Sequence, residues 1–366
     1  MKIGILTFHN ALNYGAVLQC YALKEFLVTR GHDVEIIDYR VQDIEEKRKI
    51  FSMYLIRKKK GVTGKVKMAF TELLSIRGKA KAQNSFQQFL NENFKFSNRV
   101  RTIKDIPSYY DYILFGSDQI WNPVINKGMD PVLWGQFDKG ETKFVSYAAS
   151  LGEVGAIGNG QWEEIKELLN NFDFISVRES SLQKQLSLLT SKDINLCLDP
   201  TLLAGRKILD KLVVKPKENK YIFLFTVQPD RHALDYAKRL AKKTGCAVIR
   251  AKTVLTPFET KDKDCIYKEG IRPGEFLGYI KHAHSVVANS FHTIALSLVF
   301  EKNFYALQSP KSGRVNSILS QINLTERIVD SKEDAIVKED IDYKVVNHLK
   351  EGIRKASADF ISKIGL

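Results

Sequence analysis

Short apolar runs alternate with longer amphipathic stretches along the first half of the chain. Residues 2–7 read as a strand, 16–30 as a helix and 34–39 as the next strand. Strands that are apolar on both faces and separated by helical periodicity suit a parallel sheet with crossover helices. The pattern resumes with strands at 112–115, 144–148, 174–177 and 194–198, and with helices at 162–171 and 179–189. This predicts one doubly wound α/β domain over residues 1–203. Residues 204–220 are rich in charge and carry Pro216, so they read as a linker. A second alternation follows, with strands at 221–226, 247–250, 285–288 and 304–307 and helices at 233–243, 274–282, 292–300 and 315–322. It predicts a second α/β domain over 221–335. A last amphipathic pattern, 340–364 within the segment 336–366, predicts a helix long enough to pack back on the first domain.

Length agrees with this division, because 366 residues exceed one ordinary α/β core and suit two domains of roughly 150 residues each. A hydrophobic fraction of 44% fills two cores and argues against a disordered chain. No apolar run reaches the roughly 18 residues of a membrane span. The opening strand passes into polar Asn13 rather than into a signal-peptide core, so a cytoplasmic protein is expected. Cys20, Cys197, Cys246 and Cys265 stand singly, with neither a C-x-x-C pair nor His at metal spacing. Reduced thiols, no disulfide and no metal site are expected.

The net charge of +14 is concentrated. Between Lys47 and Lys81 twelve basic residues face one acid, Glu72, and large apolar residues such as Phe51, Met53, Leu55 and Phe70 are interleaved with them. Two readings stay open for this basic insertion, 47–81: a solvated helical excursion, or a surface that meets anionic lipid at the inner face of the membrane. The chain carries no nucleic-acid reader motif, and no nucleic-acid partner is expected.

Candidate chemistry sits where strands run into helices, since ligands collect beyond the carboxyl ends of parallel strands. After the first strand, Asn13, Tyr14 and Gly15 open a helix; Asn13 either caps it or bonds a hydroxyl, and Gly15 allows close backbone approach. In FGSDQIWNP, Ser117 and Asp118 follow a strand directly, while Trp121 and Asn122 offer a stacking face and an amide for a sugar, or else a buried Trp beside a capped turn. Arg178 in SVRESS combines a guanidinium fork with a helix N-terminus, which suits a phosphate or carboxylate; an ion pair with Glu179 or with Asp199 of LDPT is the other reading. In VVANSFHTIALSLVF, Ser290 is a natural N-cap, Phe291 follows it, and His292 falls in the first turn facing the interdomain side. Lys311 and Arg314 flank Gly313 at the start of a later helix.

These motifs, in this order and across nearly the whole chain, resemble the polysaccharide pyruvyl transferase family. The resemblance implies two Rossmann-like domains facing a cleft, similar to the GT-B architecture of glycosyltransferases. It also implies transfer of a pyruvyl group from phosphoenolpyruvate to hydroxyls of a glycan or glycan precursor, free or lipid-linked, as a ketal. No cofactor besides the donor substrate is implied. The family's donor-binding Arg maps to Arg178, its helix-start His to His292 and its later basic residue to Arg314. These three carry the catalytic expectation, and Ser290, Phe291 and Lys311 complete the donor side. Asn13, Tyr14, Gly15, Ser117, Asp118, Trp121 and Asn122 form the expected acceptor side. Many members place an Arg just before the His where this chain has Phe291, which leaves the donor carboxylate to Arg314, Lys311 or backbone amides. Two alternatives use the same helix ends: a glycosyltransferase acting on a nucleotide sugar, and a non-catalytic glycan- or anion-binding homologue.

Overall fold

The computed structural model describes residues 1–228, 230–255, 261–309 and 313–366. The first apolar alternation folds into six parallel strands, β1 (Lys2–Leu6), β2 (Asp33–Ile36), β3 (Tyr112–Asp118), β4 (Lys143–Ala149), β5 (Phe174–Val177) and β6 (Ile194–Leu196). They lie in the order β2-β1-β3-β4-β5-β6. The second forms β7 (Tyr221–Phe225), β8 (Ala247–Lys252), β9 (Cys265–Glu269), β10 (Ser285–Ala288), β11 (Asn303–Leu307) and β12 (Ile328–Val329). Their order is β12-β11-β10-β7-β8-β9, again all parallel. Strand order reverses between β1 and β3 in one sheet and between β7 and β10 in the other, and open sheets collect ligands at such switch points. The fold is the expected pair of doubly wound α/β units. The sequence pattern misses β9 and β12, both edge strands. In the first only Cys265 is fully buried, and the second has two residues, so neither has an apolar run to announce it.

The expected linker begins inside a helix. Pro200–Leu209 runs across the 203/204 boundary with Leu203, Ile208 and Leu209 buried, and only Gly205, at φ +71°, interrupts it. Its exposed charges gave the stretch a linker-like composition. The two units share apolar contacts: the Tyr14 ring, from the start of the helix Tyr14–Val28, stacks on Phe276 of the second unit at 4.2 Å and 4°. The Tyr14 hydroxyl donates to the Ile271 carbonyl at 3.1 Å. The helix Tyr343–Lys363 returns to the first unit, where Ser357 Oγ accepts from Leu198 N at 2.9 Å and Arg354 Nε donates to the Leu203 carbonyl at 3.0 Å. Among the described residues no helix is long and apolar enough to cross a membrane.

Candidate functional site

A cavity of about 290 Å³ opens where the two switch points face each other. Asn13 follows β1, Asp118 ends β3, and Asn289 follows β10; His292 and Arg314 complete its wall. Asn13 is an N-cap, its Oδ1 accepting from Gly15 N at 2.9 Å and Ala16 N at 3.4 Å. Gly15 does allow a close approach, but by protein. A Cβ there would lie 2.2 Å from His292 Nδ1 and 2.4 Å from its Cγ, so only glycine lets the imidazole of the second unit rest on the helix start of the first.

His292 is held in the first turn of the helix Phe291–Val299, which Ser290 caps. Its Nε2 lies 3.3 Å from Asp199 Oδ2. The same oxygen accepts from Arg178 Nη1 at 2.7 Å, while Asp199 Oδ1 accepts from Thr201 N at 3.0 Å and Thr201 Oγ1 at 2.7 Å. Burial alone would raise the Asp199 pKa. The neighbouring His292, then Arg178 and the Thr201 hydroxyl, outweigh burial and hold the carboxyl well below the usual carboxylate range. Arg178 is enclosed by three carboxylates, with Glu179 Oε1 at 3.4 Å from its Nε and Asp118 Oδ1 at 3.8 Å from its Nη2. The desolvation that would lower its pKa is overcome by Glu179, Asp199 and Asp118. Arg178 is thus an ion-pair partner that lines a small cavity of about 20 Å³ beside Phe291 rather than the 290 Å³ cavity itself.

Phe291 lies between two guanidinium groups, with Arg178 Cζ 4.7 Å and Arg314 Cζ 5.8 Å from its ring centroid. The ring makes cation–π contact with both, which favours the approach of two like charges to one aromatic residue. Burial first, then the Arg178 charge, pushes the Arg314 pKa down. With the Gln119 amide oxygen facing it, Arg314 donates from Nη2 and Nη1 at 3.0 and 3.2 Å. Behind Phe291 a small cavity of about 20 Å³ touches Arg178, Glu179, Asp199 and Arg314. Four buried polar atoms in this neighbourhood make no hydrogen bond among the described residues: Arg178 Nη2, Glu179 Oε2, Arg314 Nε and His292 Nε2, the last meeting Asp199 Oδ2 only as a 3.3 Å ion-pair contact. Buried polar groups are nearly always satisfied, so these atoms are open to a partner that the described residues do not supply.

Four residues expected on the acceptor side take other positions. Tyr14 is buried between the units, as described above. Trp121 has no exposed surface; it stacks on Trp134 at 4.3 Å and donates from Nε1 to the Leu133 carbonyl at 3.1 Å. Ser117 is equally buried and its Oγ donates to the Ala148 carbonyl at 2.8 Å. The reason is that β3 runs through Asp118 rather than ending at Phe115, which draws Ser117 into the sheet. Asn122 caps the short helix Pro123–Asn126 through Val124 N at 2.9 Å. Asn13 and Asp118 reach the cavity, and Lys311 lies outside the described residues. Sequence reasoning did not single out Glu179 or Gln119 as site residues, although both adjoin residues it did select.

Glu179 carries a raised pKa, first through burial, against which the Arg178 and Arg314 charges and the Ser150 hydroxyl act only partly. A carboxyl that binds its proton more tightly when folded contributes stability that is complete below the ordinary value near 4.3. That contribution is lost as pH rises through the folded value. Glu179→Gln is therefore expected to lose less stability than the parent as pH rises from about 4 to 8. Denaturant midpoints across that range check it, and parallel curves would contradict it.

The polysaccharide pyruvyl transferase family model matches residues 13–309. The chain belongs to the polysaccharide pyruvyl transferase family and is a transferase. Among curated proteins none matches it. Among solved structures it is similar to UDP-GlcNAc 2-epimerase from Methanocaldococcus jannaschii, at 11% identity and TM-score 0.49, covering 96% of this chain and 92% of the other. UDP-GlcNAc 2-epimerase from Neisseria meningitidis bound to UDP-GlcNAc matches at 9% identity and TM-score 0.47, over 100% and 99% of the two chains. UGT89C1 of Arabidopsis thaliana complexed with quercetin matches at 11% identity and TM-score 0.46, over 99% and 92%.

Proposed function

We propose that the cleft transfers a pyruvyl group from phosphoenolpyruvate to two hydroxyls of a glycan or glycan precursor, forming a ketal. The observation that carries this reading is the group of unpartnered polar atoms on Arg178, Glu179, His292 and Arg314 around Phe291. A donor with a phosphate and a carboxylate supplies acceptors for the two guanidinium groups and for the imidazole. In the reaction a proton adds to the methylene carbon, and a sugar hydroxyl attacks C2 and gives up its own proton. Phosphate then leaves with the C2–O bonding pair, and the second hydroxyl closes the ketal with loss of a proton. Arg178 and Arg314 neutralise the donor's anionic groups by preorganised charge, and His292 exchanges the proton. Phe291 leaves the donor carboxylate to Arg314 and to backbone amides at the Ser290 cap. Asn13 and Asp118, which line the same cavity, meet the acceptor.

Phosphoenolpyruvate is expected to raise the thermal midpoint, by the equivalent of roughly 2.7 kcal/mol at a hundredfold excess over Kd. A panel of nucleotide sugars is the comparison. Stabilisation by a nucleotide sugar and none by phosphoenolpyruvate would favour glycosyl transfer. Binding of phosphoenolpyruvate without phosphate release on any glycan would favour a non-catalytic homologue.

A further inference from the structure

The basic insertion folds as helices between β2 and β3, including Met53–Arg57, Val62–Leu74 and Ile76–Asn93. The last is anchored, with Phe86, Phe89 and Leu90 in the core and Ser85 Oγ donating to the Gly270 carbonyl of the second unit at 2.7 Å. The helix Val62–Leu74 instead turns apolar residues outward. Val62 is 78% exposed, Val66 63% and Leu73 57%. At 100° per residue these three fall within a sector of about 40°, so they form one stripe rather than scattered exceptions. Phe51 and Met53, in the preceding turn and helix, are exposed as well.

The charge around the stripe is of one sign. Glu72, the sole acid of residues 47–81, is buried, bonded to Lys79 Nζ at 2.5 Å and accepting from Ser52 N at 2.8 Å. Lys47, Lys49 and Lys58 are taken up by Asp43 and Glu46, which precede the segment, and Arg48 is buried against the Asn10 carbonyl. Lys59, Lys60, Lys65 and Lys67 point to solvent beside the stripe. A second copy of this chain would bring positive charge against positive charge. The stripe itself is aliphatic, and the exposed rings near it, Phe51 and Phe70, do not make the run of stacking platforms that unpaired bases need. An anionic bilayer satisfies both halves of the surface, hydrocarbon for the stripe and headgroup charge for the lysines.

We propose that the helix Val62–Leu74 and its flanking lysines dock this transferase on an anionic lipid surface. Ile44 and Lys47, at the base of the insertion, line the interdomain cavity. Docking therefore brings the cleft mouth beside the membrane, where a glycan attached to lipid is presented.

The experiment is flotation of the full chain with vesicles of phosphatidylcholine alone or with about one third phosphatidylglycerol. The parent is expected to float with the anionic vesicles only, and to be released by salt as the Debye length shrinks. Replacing Lys59, Lys60, Lys65 and Lys67 with Gln should weaken partitioning by about fivefold per lysine, several hundredfold in all. Replacing Val62, Val66 and Leu73 with Ser should leave weaker binding that salt abolishes completely. All seven positions are exposed, so both variants should keep the parent's thermal midpoint. The proposal is overturned if the parent ignores anionic vesicles at low salt, or if the Ser variant binds as the parent does. It is also overturned if the Ser substitutions abolish a dimer seen by sedimentation, or if single-stranded RNA displaces the protein from vesicles at equal phosphate concentration.

Discussion

His292→Asn is expected to lower pyruvyl transfer by about two to four orders of magnitude, the range over which a positioned acid–base group acts. The side chain faces the cleft but is not loosely attached to it. It is 6% exposed, its ring rests on Gly15, and its Nε2 lies 3.3 Å from Asp199. Truncation to Ala would open a gap between the two units and mix stability with chemistry. Asn fills part of that space and offers an amide N–H toward Asp199, but it cannot take up or release a proton near neutral pH. Phosphate release from phosphoenolpyruvate in the presence of acceptor, set beside the denaturant midpoint of the same variant, separates the effects. A rate within about tenfold of the parent, with stability intact, would make His292 a packing residue at the domain junction.

The parts of the site legible in the sequence are those written locally. Ser290 before an apolar helix gives the cap, and that cap fixes where His292 points. Arg178 directly after a strand gives a guanidinium at a helix start. The alternation of apolar runs marks the first sheet and the four inner strands of the second, because a strand buried on both faces has to be apolar throughout. Contacts made across the chain were not legible. Tyr14 and Trp121 look like ligand-facing aromatics in a polar motif, and their burial depends on Phe276 and Trp134, which lie 262 and 13 residues further on. Gly15 reads as room for a ligand, yet the group that uses the room is His292 of the other unit. The same holds for Glu179. Its sequence position beside Arg178 suggests an ion pair, which forms at 3.4 Å, but burial also makes it a carboxyl that resists ionisation.

Arg178→Met is expected to destabilise the protein by about 3–5 kcal/mol, the usual consequence of removing one partner from a buried charge cluster. Met fills comparable volume, so the loss is electrostatic rather than a packing gap. Asp199, fully buried, would lose the 2.7 Å hydrogen bond that helps keep it ionised, and Glu179 and Asp118 would lose the cation between them. Arg178→Lys should behave differently, because an ammonium restores one charge but cannot face Asp199, Glu179 and a donor anion at once with a planar fork. That variant is expected to keep most of the stability and to bind phosphoenolpyruvate at least about tenfold more weakly. Denaturant midpoints for both variants, with donor binding by calorimetry for the Lys form, test the two roles separately. If Arg178→Lys binds the donor as the parent does while Arg178→Met unfolds, Arg178 is a structural cation and the donor is held from the Arg314 side alone.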